Sequence, residues 1–263
     1  MQRDVTVRLE LEAAGPAGYA LAVAVAGAPA SREMFSATQL GEPLDVRHLE
    51  DRHGGRLHLF DAEAGPVRVE YSATVEGLLR EEPVEALDAQ VYLRPSRYCE
   101  SDILRPFAIA EFGDLRGGEL LAAVSSWVGV NIAYQPGWGL PTDGAVATLL
   151  SRRGVCRDFA HLVVAFLRAL DVPARVVSVY APGLFPMDFH AVAEAIIDGR
   201  WCVVDATTLA PRSSLLRIAT GRDASDTAFC STTGAAVELT GIEVTAIVDE
   251  LPFDDVRDLV VLR

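Results

Sequence analysis

The stretch Arg153-Gly154-Val155-Cys156-Arg157-Asp158-Phe159-Ala160-His161 opens a segment in which Phe159, Leu162, Val163, Phe166, Leu167 and Leu170 recur at three- and four-residue spacing. Asp171-Val172-Pro173 ends it. The pattern predicts a buried helix over Cys156–Leu170 with the cysteine at its N-terminus. Unpaired N–H groups and the positive end of the helix dipole favour a thiolate at that place.

Three apolar runs follow, predicted as strands at Ala174–Tyr180, His190–Ile197 and Arg200–Ala206. Asp198-Gly199 between the last two is a two-residue hairpin signal. It sets Ile197 opposite Arg200 and Val192 opposite Asp205. His190 then shares a face with Val192 and lies diagonally from Asp205, about 7–8 Å away along the backbone, within bridging reach of an imidazole and a carboxylate. A one-residue slip would send Asp205 to the other face. Thiol, imidazole and carboxylate in this order suit acyl transfer through a thioester: the imidazole takes the thiol proton and the carboxylate fixes its tautomer. The predicted catalytic residues are Cys156, His190 and Asp205.

The rivals are weaker. In the same register Cys202 faces away from His190, opposite Ala195, inside an apolar run. Cys99 and Cys230 have no evident base. His161 lies about 140° round the helix from Cys156, and Asp158 also faces away. His48, His53 and His58 read as surface or turn residues among charges. A metal centre lacks a fourth ligand, because Glu194 is two pairs further down the strand. No phosphate loop or dinucleotide fingerprint appears, so no cofactor is expected.

The chain has 263 residues, half of them hydrophobic and few aromatic, with a net charge of −14. That acidity disfavours nucleic acid and anionic lipid as partners. No apolar run reaches the roughly 18 residues of a membrane span. The run 20–30 follows Arg3, Asp4, Arg8, Glu10 and Glu12, unlike a signal peptide. The expected location is cytoplasmic. The four cysteines show neither CxxC pairing nor finger spacing, so disulfides and structural zinc are not expected.

Val5–Leu11 and Val67–Val75 alternate with period two, and Tyr19–Ala26 and Arg56–Phe60 are further strand candidates. They predict a small antiparallel β-sandwich over residues 1–90, bounded near Glu81-Glu82-Pro83-Val84-Glu85. Residues 91–263 then form the catalytic domain. Its helices are predicted at Glu119–Asn131 and Ala145–Ser151, with Asp143 as a candidate cap for the second.

Several of these residues also carry a family pattern. The stretch around Cys156, Val172-Pro173-Ala174-Arg175, His190-Ala191 with Glu194, Trp201 and Asp205-Ala206-Thr207 resemble the bacterial transglutaminase-like superfamily, often described as cysteine proteases. So do Tyr92–Asp102, Gly221-Arg222-Asp223-Ala224 and, more loosely, the β-rich N-terminal region. The resemblance implies an α+β fold with a papain-like core and a Cys-His-Asp triad on Cys156, His190 and Asp205. One departure is Val192, where the family commonly has an aromatic. At that position it is expected to leave the His190–Asp205 pair less shielded.

The Cys156 N–H is the expected first oxyanion donor, with Trp127, Asn131, Tyr134 and Trp138 as candidates for a second. The expected partner is a peptide or amide substrate, cleaved by water. Transfer to an amine, or a non-catalytic interaction module that keeps the triad, are the alternatives.

Overall fold

A computed structural model describes residues 1–27 and 30–263; Ala28 and Pro29 of the apolar run 20–30 lie outside the described residues. The chain opens with β1 (Gln2–Ala13), β2 (Ala17–Leu21), β3 (Arg32–Gln39), β4 (Glu42–Pro43), β5 (Arg47–Glu50), β6 (Arg56–Ala62) and β7 (Gly65–Glu76). Next come α1 (Ala86–Val91), α2 (Ser101–Phe112), α3 (Gly117–Asn131), β8 (Ala133–Tyr134), α4 (Ala145–Ser151), β9 (Arg153–Gly154) and α5 (Cys156–Ala169). It closes with β10 (Ala174–Tyr180), β11 (Phe189–Ile197), β12 (Arg200–Val204), β13 (Leu216–Gly221), α6 (Ala224–Thr227), β14 (Cys230–Gly234) and β15 (Val237–Val248).

Period-two alternation makes the N-terminal part a sandwich. Val5, Val7, Leu9, Leu11 and Ala13 of β1 are buried while Thr6, Arg8 and Glu12 between them are exposed and Glu10 is half-buried. The sheets run β15-β1-β7-β3-β4 and β14-β2-β6-β5, and their facing apolar side chains share one core. Two of these strands come from the far end of the chain. β15 lies antiparallel to β1 from Arg3↔Val248 to Ala13↔Val237, and β14 pairs with β2. The C-terminal residues 230–248 therefore complete the sandwich rather than the core that precedes them.

The second core surrounds α5. Every residue from Asp158 to Ala169 is buried, between α2, α3 and α4 on one side and the antiparallel sheet β12-β11-β10-β13 on the other. α2 was not legible in advance, since Pro106 sits inside it. The α4 boundaries match the sequence reading, but Gly144 is its N-cap residue, and Asp143 instead accepts a hydrogen bond from the Leu140 N–H at 2.8 Å.

The Glu81–Glu85 stretch is tied down at the joint between the two parts. Glu82 meets Arg175 at 2.6 Å and Arg217 at 3.3 Å, while Glu81 meets Arg200 and Arg263. Glu194 completes the group with 2.7 Å contacts to both Arg175 and Arg217. The Arg175 guanidinium lies 3.7 Å over the Trp201 ring.

Candidate active site

Three local devices put Cys156 at the start of α5. Val155 is extended, and the Asp158 carboxylate reaches back to accept the Val155 N–H at 2.9 Å. Gly154 has to be glycine, because a Cβ there would stand 2.6 Å from the Asp158 Cβ. Cys156 is half-buried, in contrast to the closed positions of Cys99 and Cys202.

The hairpin forms in the expected register, with Ile197↔Arg200 and Ala193↔Val204 paired. Asp198 and Gly199 have φ of 50° and 75°, the two positive values a type I′ turn needs. Asp205 lies one residue beyond the end of β12, and His190 sits second in β11, opposite Val179. Asp205 Oδ2 is 2.9 Å from His190 Nε2. A carboxylate accepts, so Nε2 carries the hydrogen and Nδ1 is left as the basic nitrogen. Nδ1 is buried and makes no hydrogen bond of full geometry among the described residues.

Electrostatics follow from these contacts. Burial pushes the His190 imidazole down, but the Asp205 carboxylate and then the Cys156 thiol outweigh it and raise the ring to about 10. Burial pushes Asp205 up, while His190 and two bonds from Thr207 hold it below the ordinary carboxylate value. The Thr207 hydroxyl donates to Oδ1 at 2.7 Å and its N–H at 2.9 Å. Sequence reasoning gave Thr207 no role, and a threonine two positions after an aspartate carries no signal of its own. Gly129 permits the same turn, since a Cβ there would meet the Ala206 carbonyl oxygen at 2.7 Å.

The other cysteines are chemically quiet. Burial pushes the Cys99 thiol up to about 12 and the Cys230 thiol up to about 11, and raises Cys202, which pairs with Ala195. His161 is buried, accepts the Ala224 N–H at 3.0 Å, and is lowered by burial to about 3. It belongs to a scaffold that joins two of the family-like segments. Arg168 donates to the Arg94 and Arg222 carbonyls, Tyr98 N–H donates to Asp223, and Tyr98 stacks on His161 at 5.4 Å.

Three expectations need correction. His58 is 2% exposed and stacks on Phe35 at 3.9 Å. His53 sits in the joint, 2.6 Å from Glu82 and 2.7 Å from the Tyr92 hydroxyl. Neither is a surface histidine: period-two alternation turns His58 inward in β6, and Glu82 and Tyr92 hold His53 in the joint. Val192 is 1% exposed among Val177, Val203 and Leu215. It is sealed in the sheet's own core, against apolar side chains rather than solvent.

Of the four candidates for a second oxyanion donor, three are engaged elsewhere. Trp127 packs on Phe107, Phe112 and Phe166, Asn131 donates to the Trp127 carbonyl, and Trp138 lies under Arg153.

The transglutaminase-like superfamily model matches residues 111–206, a span that holds all three polar residues of the site. A crystal structure of a Cytophaga hutchinsonii protein, described as a putative cysteine protease, superposes with a TM-score of 0.87. It is 32% identical to this chain and covers 98% of it and 96% of its own length. The chain belongs to the transglutaminase-like superfamily.

The curated relatives share less. An uncharacterized Mycobacterium leprae protein is 29% identical over 119 residues, 41% of this chain and 42% of that one. An uncharacterized Mycobacterium tuberculosis protein is 36% identical over 81 residues, 30% of this chain and 26% of that one. The matches thus span less than half the length of these relatives. In this superfamily member the family match also includes Arg175 and Glu194, which build the joint rather than the Cys156 site.

Proposed function

We propose that this protein cleaves an amide or peptide bond by transferring the acyl group to Cys156 and then to water. One observation carries the reading. His190 commits one ring nitrogen to Asp205 and leaves the other unbonded beside the thiol at a helix start.

The steps follow from that geometry. Raised to about 10, the ring keeps the Sγ proton on Nδ1, and the sulfur anion attacks the carbonyl carbon while the carbonyl oxygen gains negative charge beside the Cys156 N–H. The C–N bond breaks, and the imidazolium returns the proton to the leaving amine. Water, deprotonated by the same nitrogen, opens the thioester, and the acid departs with the thiol restored. Asp205 stays ionised throughout, and Thr207 fixes its orientation.

Water is favoured as acceptor because the thiol is only half-buried and the tip of the connector, residues 185–188, is exposed, with Phe185 90% exposed and Met187 43% exposed. Transfer to an amine calls for a drier site. Intact mass after exposure to a library of peptides and amides should reveal an acyl adduct on Cys156 that His190→Ala fails to form. Adding amine to a productive donor then partitions the products. Free acid in excess at millimolar amine supports hydrolysis, and dominant amide makes the protein a transamidase. No adduct with any donor points to the non-catalytic alternative.

A further inference from the structure

A cleft of about 370 Å³ is lined by Asp205, which lies across the His190 ring from the nitrogen left for Cys156. Its other walls come from segments far apart in the chain: Gly183 of the connector, residues 208–212 after β12, and residues 251–254 with Val256 beyond β15. The walls are fastened to one another. Val203 N–H donates to the Val260 carbonyl at 2.8 Å, and the Ser214 hydroxyl donates to the Pro182 carbonyl at 3.2 Å. Ser213 donates to Asp254 from its N–H at 2.9 Å and its hydroxyl at 2.6 Å. Leu251 and Pro211 close on Gly183, to 3.0 and 3.2 Å from where a Cβ would stand, at a φ of 100°.

The charged groups of the cleft are already engaged. Asp205 is held by His190 and Thr207, Asp254 by Ser213, and Arg212 by the Val203 and Asp255 carbonyls. What remains to meet a ligand is mostly carbon. Leu251 is 55% exposed, Phe253 92% and Val256 37%, in a chain of net charge −14. A preformed apolar cleft whose charges are spent suits an apolar side chain and disfavours a charged one, which would lose water without gaining a partner. An extended peptide advances about 3.3 Å per residue. One whose reacting carbonyl lies at Cys156 therefore passes the His190–Asp205 pair within two or three residues. We propose that the cleft is a substrate subsite that takes a large apolar side chain two or three residues from the scissile bond. Its outer wall lies beyond the family-matched residues 111–206. The inference rests on Cys156 as the reacting group.

Alkylation reads the subsite without passing through a thioester. N-octyliodoacetamide carries the reactive carbon of iodoacetamide on an apolar tail long enough to pass the imidazole. Each methylene moved from water to apolar surface is worth about fourfold in affinity. We expect the tail to speed modification of Cys156 in the full chain at least about tenfold, with saturation, as followed by peptide mapping. Val256→Trp fills the cleft from a position already exposed and should bring the ratio of the two rates to about one. Phe253→Asp charges the rim and should cut the ratio at least about threefold. Each variant is compared with itself, so a general change in thiol reactivity cancels. A ratio below about tenfold in wild type, or one that either variant leaves at its wild-type value, overturns the subsite and leaves the thioester reading standing. If the ratio behaves as expected but no acyl adduct forms with any donor, the thioester reading falls and the cleft stands as a binding site.

Discussion

Strand β11 carries two buried ionisable residues four positions apart, and they have opposite fates. Glu194 faces Arg175 across the β10–β11 pair and also holds Arg217, with Glu82 completing the group. Each charge there meets an opposite charge, and none of these four side chains has a buried polar atom without a partner among the described residues. His190 has one partner, Asp205, and one unbonded nitrogen. Both groups bear the cost of burying charge. Where every valence is filled, the cluster is a joint between the sandwich and the core. Where one is left open beside a thiol, it is a reagent.

The contrast can be broken from either end. His190→Ala removes the open base and should slow acylation of Cys156 by about 10²–10⁴-fold, measured as adduct formation by intact mass. A change below tenfold would remove the histidine from the chemistry. Glu194→Ala leaves buried arginines facing each other and should lower the unfolding free energy by about 3–5 kcal/mol. Urea unfolding followed by tryptophan fluorescence reports it, and alkylation of Cys156 in the folded variant should remain near wild type. A variant as stable as wild type would mean that the joint holds without its central anion.

Asp205→Asn sharpens the comparison through pH. In the folded protein the imidazole is raised from 6.5 to about 10. The stability its charge brings is therefore complete below 6.5 and is lost as pH rises through about 10. Asp205 has the opposite sign: being lowered, it contributes above its ordinary value of 3.8 and loses that contribution as pH falls through its lowered value. Without the carboxylate, burial loses its main opponent and the ring should titrate well below 10. The ¹⁵N shifts of the His190 ring across pH give both midpoints. Equal midpoints would show that Asp205 does not control the imidazole. The smallest effect is expected for Gly154→Ala, which crowds Asp158 and should cost about 1–3 kcal/mol by overpacking. Thermal unfolding measures it, and an unchanged midpoint would show that the turn before Cys156 has room to spare.

Much of this was legible because its physics is local. The 3–4 spacing after Cys156 marks a buried helix, and Asp198-Gly199 fixes a register that carries Asp205 to His190 without further information. What was not legible depends on distant partners. β14 is rich in Ser, Thr and Gly, and β15 buries little of its outer face, so neither advertises a return to the first strands. The Pro106 inside α2 hides a helix whose aromatic residues reach Trp127 and Phe166. His53 and His58 look solvated until Glu82 and Phe35 arrive from elsewhere in the chain. Tyr134 acquires its position from two residues of parallel pairing, too short for any periodicity.

Site-resolved alkylation of the four cysteines near neutral pH puts the contrast to the most direct test. Cys99, Cys202 and Cys230 are all raised by burial, and Cys156 alone lies beside an imidazole at a helix start. With limiting iodoacetamide on the native protein, followed by peptide mapping, Cys156 should be modified first, and His190→Ala should abolish that lead. Equal modification of Cys99 or Cys230 under the same conditions, or a lead that survives loss of the histidine, would contradict the assignment of Cys156 and His190 as the reacting pair.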